Sequence, residues 1–170
     1  MSIVINGSTG ISGVPAGGYN LVDGDMPSGA VLQVVQGTTS TVASTTSTAY
    51  TNTNLSVSII PFSTSSKILV MAKQKGCRLN PSSGEYGMSI ALLRDSTIIW
   101  KPGPSIGHHS YYLNNVDGYG ELDATYLDSP ATTSSVTYKT QFASYISGKT
   151  VYVQQGNNFT SVIIAMEIAA

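Results

Sequence analysis

The chain has 170 residues, enough for one domain with a buried core and an extra arm. Charged residues make up only 10% of it, against roughly 25% in ordinary soluble domains. Eight basic and nine acidic residues leave a net charge of -1, with no basic stripe of the kind that neutralises phosphates, so no nucleic-acid partner is expected. Polarity comes instead from 24 Ser and 18 Thr, a neutral surface with little colloidal repulsion that suits coverage by partners. The single cysteine, Cys77, rules out an intrachain disulfide framework and reads as a small, partly buried apolar residue. No apolar run reaches the ~20 residues of a membrane span, and the start MSIVINGSTG lacks the basic and apolar regions of a signal peptide. The expectation is a protein made in the cytoplasm, without membrane insertion.

Residues 1–29 hold seven glycines and two prolines around two small apolar patches, Ile3-Val4-Ile5 and Leu21-Val22. That composition excludes a helix and predicts an extended arm with at most one short strand, ordered by lying against a neighbour. From Ala30 the pattern changes to closely spaced strands, giving a predicted domain over 30–170. AVLQVVQ over 30–36 is apolar and β-branched, and 38–53 is rich in Thr, Ser, Ala and Val, suiting one or two wet strands. Leu55, Val57 and Ile59 alternate with serines before Pro61 stops the run. KILVMAKQK over 67–75 is apolar on both faces in its first half, as in a central strand.

Asn80-Pro81 and Gly84 mark a loop. Met88, Ile90 and Leu92 then share a face, Asp95-Ser96 turns the chain, and 97–100 is a short strand. Strands follow over 121–127 and 134–144, the second with Val136, Tyr138, Thr140 and Phe142 on one face. Gly148 marks a turn, and strands at 151–154 and 159–168 close the domain. In the last, Val162, Ile164, Met166 and Ile168 face one way, Ile163 and Ala165 the other. About nine short strands without helical periodicity predict an antiparallel, jelly-roll-like β-sandwich.

Few groups offer chemistry. His108 and His109 are adjacent, so on a strand they point to opposite faces and make a poor pair of ligands for one metal. Copies of one His meeting on a threefold axis are one reading, and surface or interface histidines are the plainer one. Glu121 and Asp123 could share a strand face as glycosidase or calcium carboxylates, against the plainer reading as solvated charges. Zinc-protease motifs and phosphate-binding loops are absent from the sequence. No enzyme activity, cofactor or metal is expected. The segment 108–120 carries His108, His109, Tyr111, Tyr112 and Tyr119, whose apolar bodies and polar tips suit subunit contacts or sugar stacking.

Several strings resemble the virion structural proteins of tailed bacteriophages, of the tail-fibre and head-fibre type known from phages of cyanobacteria and marine bacteria. They are Pro27-Ser28-Gly29 with Val31 and Gln33 to Val35; Leu55 to Ile60 with Ser65 to Val70; Leu92 to Thr97 with Ile99; Leu127 to Lys139 with Gln141; and Ile164, Met166 to Ile168 and Ala170. Together they span roughly residues 27 to 170. The resemblance implies a homotrimeric β domain on the virion, with no catalytic residues to carry over. Ile3, Val4, Ile5, Leu21 and Val22 would anchor the arm to other virion proteins. The β domain would face outward, for attachment to a host-surface glycan or for decoration of a capsid. With only 29 residues ahead of the domain, a short knob, adaptor or decoration protein fits better than a long fibre. The alternative is a free-standing carbohydrate-binding module; a depolymerase would need more chain and paired carboxylates.

Overall fold

The structure is a computed structural model, and it describes residues 4–6, 10–12, 26–79, 87–102, 118–156 and 158–170. All regular structure in them is β. Two three-residue strands, β1 (Val4–Asn6) and β2 (Gly10–Ser12), pair antiparallel with each other, where the sequence predicts at most one strand in this region. Glycine disfavours strands and adds nothing to an apolar pattern, so the sequence around Gly10 gives no sign of a second strand.

The domain beyond them is built from β3 (Val31–Thr39), β4 (Ala43–Thr45), β5 (Thr51–Ile59), β6 (Lys67–Leu79), β7 (Met88–Arg94), β8 (Thr97–Trp100), β9 (Gly118–Asp128), β10 (Val136–Ser144), β11 (Val151–Val153) and β12 (Ser161–Ile168). One sheet has the order β5-β10-β7-β8. The other has β3-β12-β6-β9 at one end and β4-β11-β6-β9 at the other, because β11 and β12 pair with the same edge of the long central β6. Taking β3 with β4, and β11 with β12, as single interrupted columns leaves four columns in each sheet. Numbered along the chain, they run 1-8-3-6 and 2-7-4-5, all pairs antiparallel. That is a jelly roll of two Greek keys.

The expected face assignments hold. Leu55, Val57 and Ile59 of β5, Val136, Tyr138 and Phe142 of β10, and Met88, Ile90 and Leu92 of β7 are buried between the sheets. β6 is central and carries β12 and β9 on its two edges. In β12 it is Ile163 and Ala165 that face the core, while Val162, Ile164, Met166 and Ile168 are half-buried on the outer face. The strands also run past the predicted limits: β3 continues through Gly37 to Thr39, and β6 reaches Leu79 across a bulge at Gly76 (φ 60°). Cys77, on that extension, is fully buried rather than partly so.

A polar belt crosses the core and divides it. On one side lie Leu55, Val70, Tyr138 and Ile163; on the other Cys77, Leu79, Phe142 and Val153. Between them Thr53 and Thr140 share a hydroxyl–hydroxyl bond of 2.5 Å, and Thr140 donates to Gln74 Oε1 at 3.1 Å. Gln74 in turn donates to Ser161 Oγ at 2.9 Å. These side chains belong to four strands of both sheets, so the belt pins their register through bonds that water cannot replace. Tyr138 reaches Asp128 Oδ2 at 2.7 Å, and Arg94 Nη1 holds both oxygens of the same carboxylate at 3.0 Å.

Candidate functional site

The outer face of the β3-β12-β6-β9 sheet changes character along the strands. Register aligns Val34 with Met166, Met166 with Leu69 and Leu69 with Leu127, an apolar row crossing all four strands. The next row is Gln36, Ile164, Met71 and Thr125, and the third is Thr38, Val162, Lys73 and Asp123. Both ends of the first row stand open, Val34 at 56% exposure and Leu127 at 48%. β3 and β9 are the two edges of this sheet, so the row surfaces at opposite sides of the domain.

At the β3 edge the apolar surface turns a corner. Ile60 and Phe62, in the connection from β5 to β6, are 60% and 65% exposed, and Val31 is 52% exposed. Their display is held from beneath. Glu167, fully buried, accepts from the Phe62 backbone N–H at 2.7 Å and from Gln33 Nε2 at 2.5 Å, while the same Gln33 nitrogen donates to Ile60 O at 2.8 Å. A buried carboxylate is costly unless its oxygens are satisfied, and here satisfying them fixes the backbone that carries two exposed apolar side chains. Large apolar groups grouped in this way mark contact surfaces more often than chance.

Charges occupy the middle of the face. Glu121 meets Lys73 Nζ at 2.6 Å and Lys75 Nζ at 3.7 Å. The hydrogen bond from Lys73, with the charges of both lysines, draws the Glu121 carboxyl below its ordinary value; the same bond raises Lys73. Glu121 and Asp123 do share the outer face, but both lie in the open beside lysine rather than facing each other across a cleft. An exposed network of this kind contributes little stability. Among the described residues no three His, Cys, Asp or Glu side chains gather as metal ligands would.

The far end of the face is aromatic. Tyr152, Arg78 and Tyr119 stand in one row across β11, β6 and β9. The Arg78 guanidinium lies 5.7 Å from the Tyr119 ring centre and 5.8 Å from that of Tyr152. Phe159 stacks on Tyr119 at 5.9 Å. Tyr119 is thus the one member of the predicted recognition segment with a described setting: it opens β9, half exposed. His108, His109, Tyr111 and Tyr112 lie outside the described residues, as do Ile3, Leu21 and Val22 of the predicted arm anchors; Val4 and Ile5 lie in β1.

Sequence reading passes over Ile60, Phe62, Arg78 and Phe159, because each is assembled into the face by pairing between distant segments. The one local sign was Ile60-Pro61-Phe62, where two large apolar residues flank a strand-ending proline. No protein-family model matches the chain, and a search of curated proteins finds no match either.

Proposed function

We propose that this chain is a structural component of a bacteriophage virion, working as a homotrimer. Its jelly-roll domain faces outward, and its N-terminal segment docks onto the particle. The observation that carries this reading is the clamped apolar corner of Val31, Val34, Ile60 and Phe62, continued by the row to Leu127 at the opposite edge. A ring of identical subunits needs two different patches on each copy, one meeting the next copy's other patch. A stripe that surfaces at both edges supplies such a pair, and a chain with 10% charged residues has little to oppose the contact. Other copies of this chain are therefore the occupant assigned to the stripe. The virion setting is supported by the sequence resemblance over residues 27 to 170, and jelly rolls are frequent in viral capsid and lectin domains.

A free-standing carbohydrate-binding module is the second reading. The Tyr152, Arg78, Tyr119 and Phe159 cluster favours it, since aromatic and guanidinium surfaces suit sugar rings. Sedimentation equilibrium separates the two: the virion reading expects a mass of three chains at micromolar concentration, and peptides of this chain in purified particles. A monomer absent from particles refutes it in favour of the module.

A further inference from the structure

The opposite sheet carries a depression that the assembly reading leaves unused. Between the pairs Lys139–Ser56 and Gln141–Asn52 the register of β5 and β10 shifts, so that Thr53, Asn54 and Leu55 face the single residue Thr140. Asn54 takes φ 68° to accommodate the extra chain. Thr53 repairs the broken ladder from inside, its hydroxyl 3.0 Å from Thr140 O and accepting from Leu55 N at 3.2 Å. Outside, the gap is a hollow of about 240 Å³ lined by Asn52, Asn54, Leu55, Ser56, Lys139 and Thr140. Bulges of this type gather at binding sites because they re-aim side chains, and a non-glycine residue held at positive φ is stored strain that invites a functional reading.

The lining carries a single charged side chain, Lys139. Asn52 Oδ1 is occupied by Gln141 Nε2 at 2.9 Å, which leaves the Asn52 amide N–H groups directed elsewhere. Asn54, Ser56 and Lys139 have no side-chain partner among the described residues, and the ion pairs formed there involve other lysines and Arg94. A half-buried lysine, two amides and a hydroxyl thus line a hollow with no carboxylate in its wall. A lysine ammonium with no carboxylate to pair it calls for a ligand carrying negative charge, and the amides and the hydroxyl can donate to that ligand's oxygens. The hollow is too open and too small to enclose a large cofactor.

We infer that this hollow binds a carboxylate-bearing sugar residue, a uronic-acid type unit of an acidic polysaccharide. Lys139 and the Asn amides hold the carboxylate while Ser56 reaches a ring hydroxyl. The inference stands apart from the trimer; three copies on one particle would only multiply a weak single-site affinity by avidity. Saturation-transfer NMR on the full chain tests it, with methyl glucuronide, methyl glucoside and acetate as probes. Methyl glucuronide should bind, and Lys139→Gln should weaken it by roughly tenfold or more, as losing one charge-assisted hydrogen bond implies. Lys67→Gln, on the other sheet, should leave binding unchanged, and equal melting temperatures for both variants would exclude unfolding as the cause. Three results overturn the inference: no transfer to methyl glucuronide, equal transfer to the neutral glucoside, or binding that survives Lys139→Gln. If acetate binds as well as the glucuronide, the hollow is a plain anion site and the sugar assignment falls.

Discussion

Replacing Gly37 by alanine would insert a methyl group where β3 of one sheet runs tight against β5 of the other. Gly37 sits in β3 at the edge of one sheet, and β5 forms the edge of the other. A Cβ built on Gly37 lies 2.0 Å from Ser56 O, 2.9 Å from Ser56 C and 3.2 Å from Ile163 Cγ2. Carbon–oxygen contacts settle at about 3.3 Å or more, so β3 and β5 would have to separate by over ~1 Å. The obstacle is backbone held in a ladder with β10, so no side chain can swing aside. Overpacking of well-filled cores costs about 1–3 kcal/mol, and a clash with fixed backbone belongs at the upper end. For a chain of this size about 3 kcal/mol lowers the melting temperature by roughly 6–12 °C. Scanning calorimetry of wild type and Gly37→Ala should show that drop, at one protein concentration because assembly shifts apparent stability. Gln36→Ala, exposed on the same strand, serves as the control and should stay within about 0.5 kcal/mol of wild type. A Gly37→Ala protein melting within about 2 °C of wild type would refute the close approach as the reason for glycine.

Phe62→Asp places a charge in the proposed subunit contact and should convert the trimer to monomers with far-ultraviolet dichroism unchanged; a variant that stays trimeric removes Phe62 from the interface. Burial, then the hydrogen bond to Asp128 and its charge, hold the Tyr138 hydroxyl well above its ordinary 10.0. Its contribution to stability is therefore complete below about pH 10 and lost as pH rises further. The urea-midpoint advantage of wild type over Tyr138→Phe should hold from about pH 8 to pH 10 and shrink by pH 11, and a gap that stays constant above pH 10 would exclude Tyr138 as the cause. Burial also pushes the Cys77 thiol up to about 12, so a disulfide reagent at neutral pH should modify it only after denaturant is added. Rapid labelling of the native protein would contradict its packing against Leu79, Met88 and Phe142.

What the sequence determined by itself is whatever period two can express. Side chains alternate between the faces of a strand, so Leu55-Val57-Ile59, Met88-Ile90-Leu92 and Val136-Tyr138-Thr140-Phe142 announce their shared faces without reference to any partner. The run of apolar residues on both faces of Lys67 to Met71 likewise marks β6 as the strand with neighbours on both edges. Tertiary structure decided everything that depends on a second segment. In β12 Val162, Ile164, Met166 and Ile168 lie outside and Ile163 and Ala165 inside, because Ser161 and Glu167 share that inner side and bond to Gln74, Gln33 and the Phe62 backbone. Neither bulge is written locally: the extra residues at Asn54 and the turn of Gly76 exist only relative to Thr140 and to Gln154 and Gln155. The apolar corner joins Val31 and Val34 to Ile60 and Phe62 through a glutamate more than a hundred residues further on. Alternation is a property of one strand's own backbone, whereas register, bulges and corners arise from pairing energies between strands far apart in the chain.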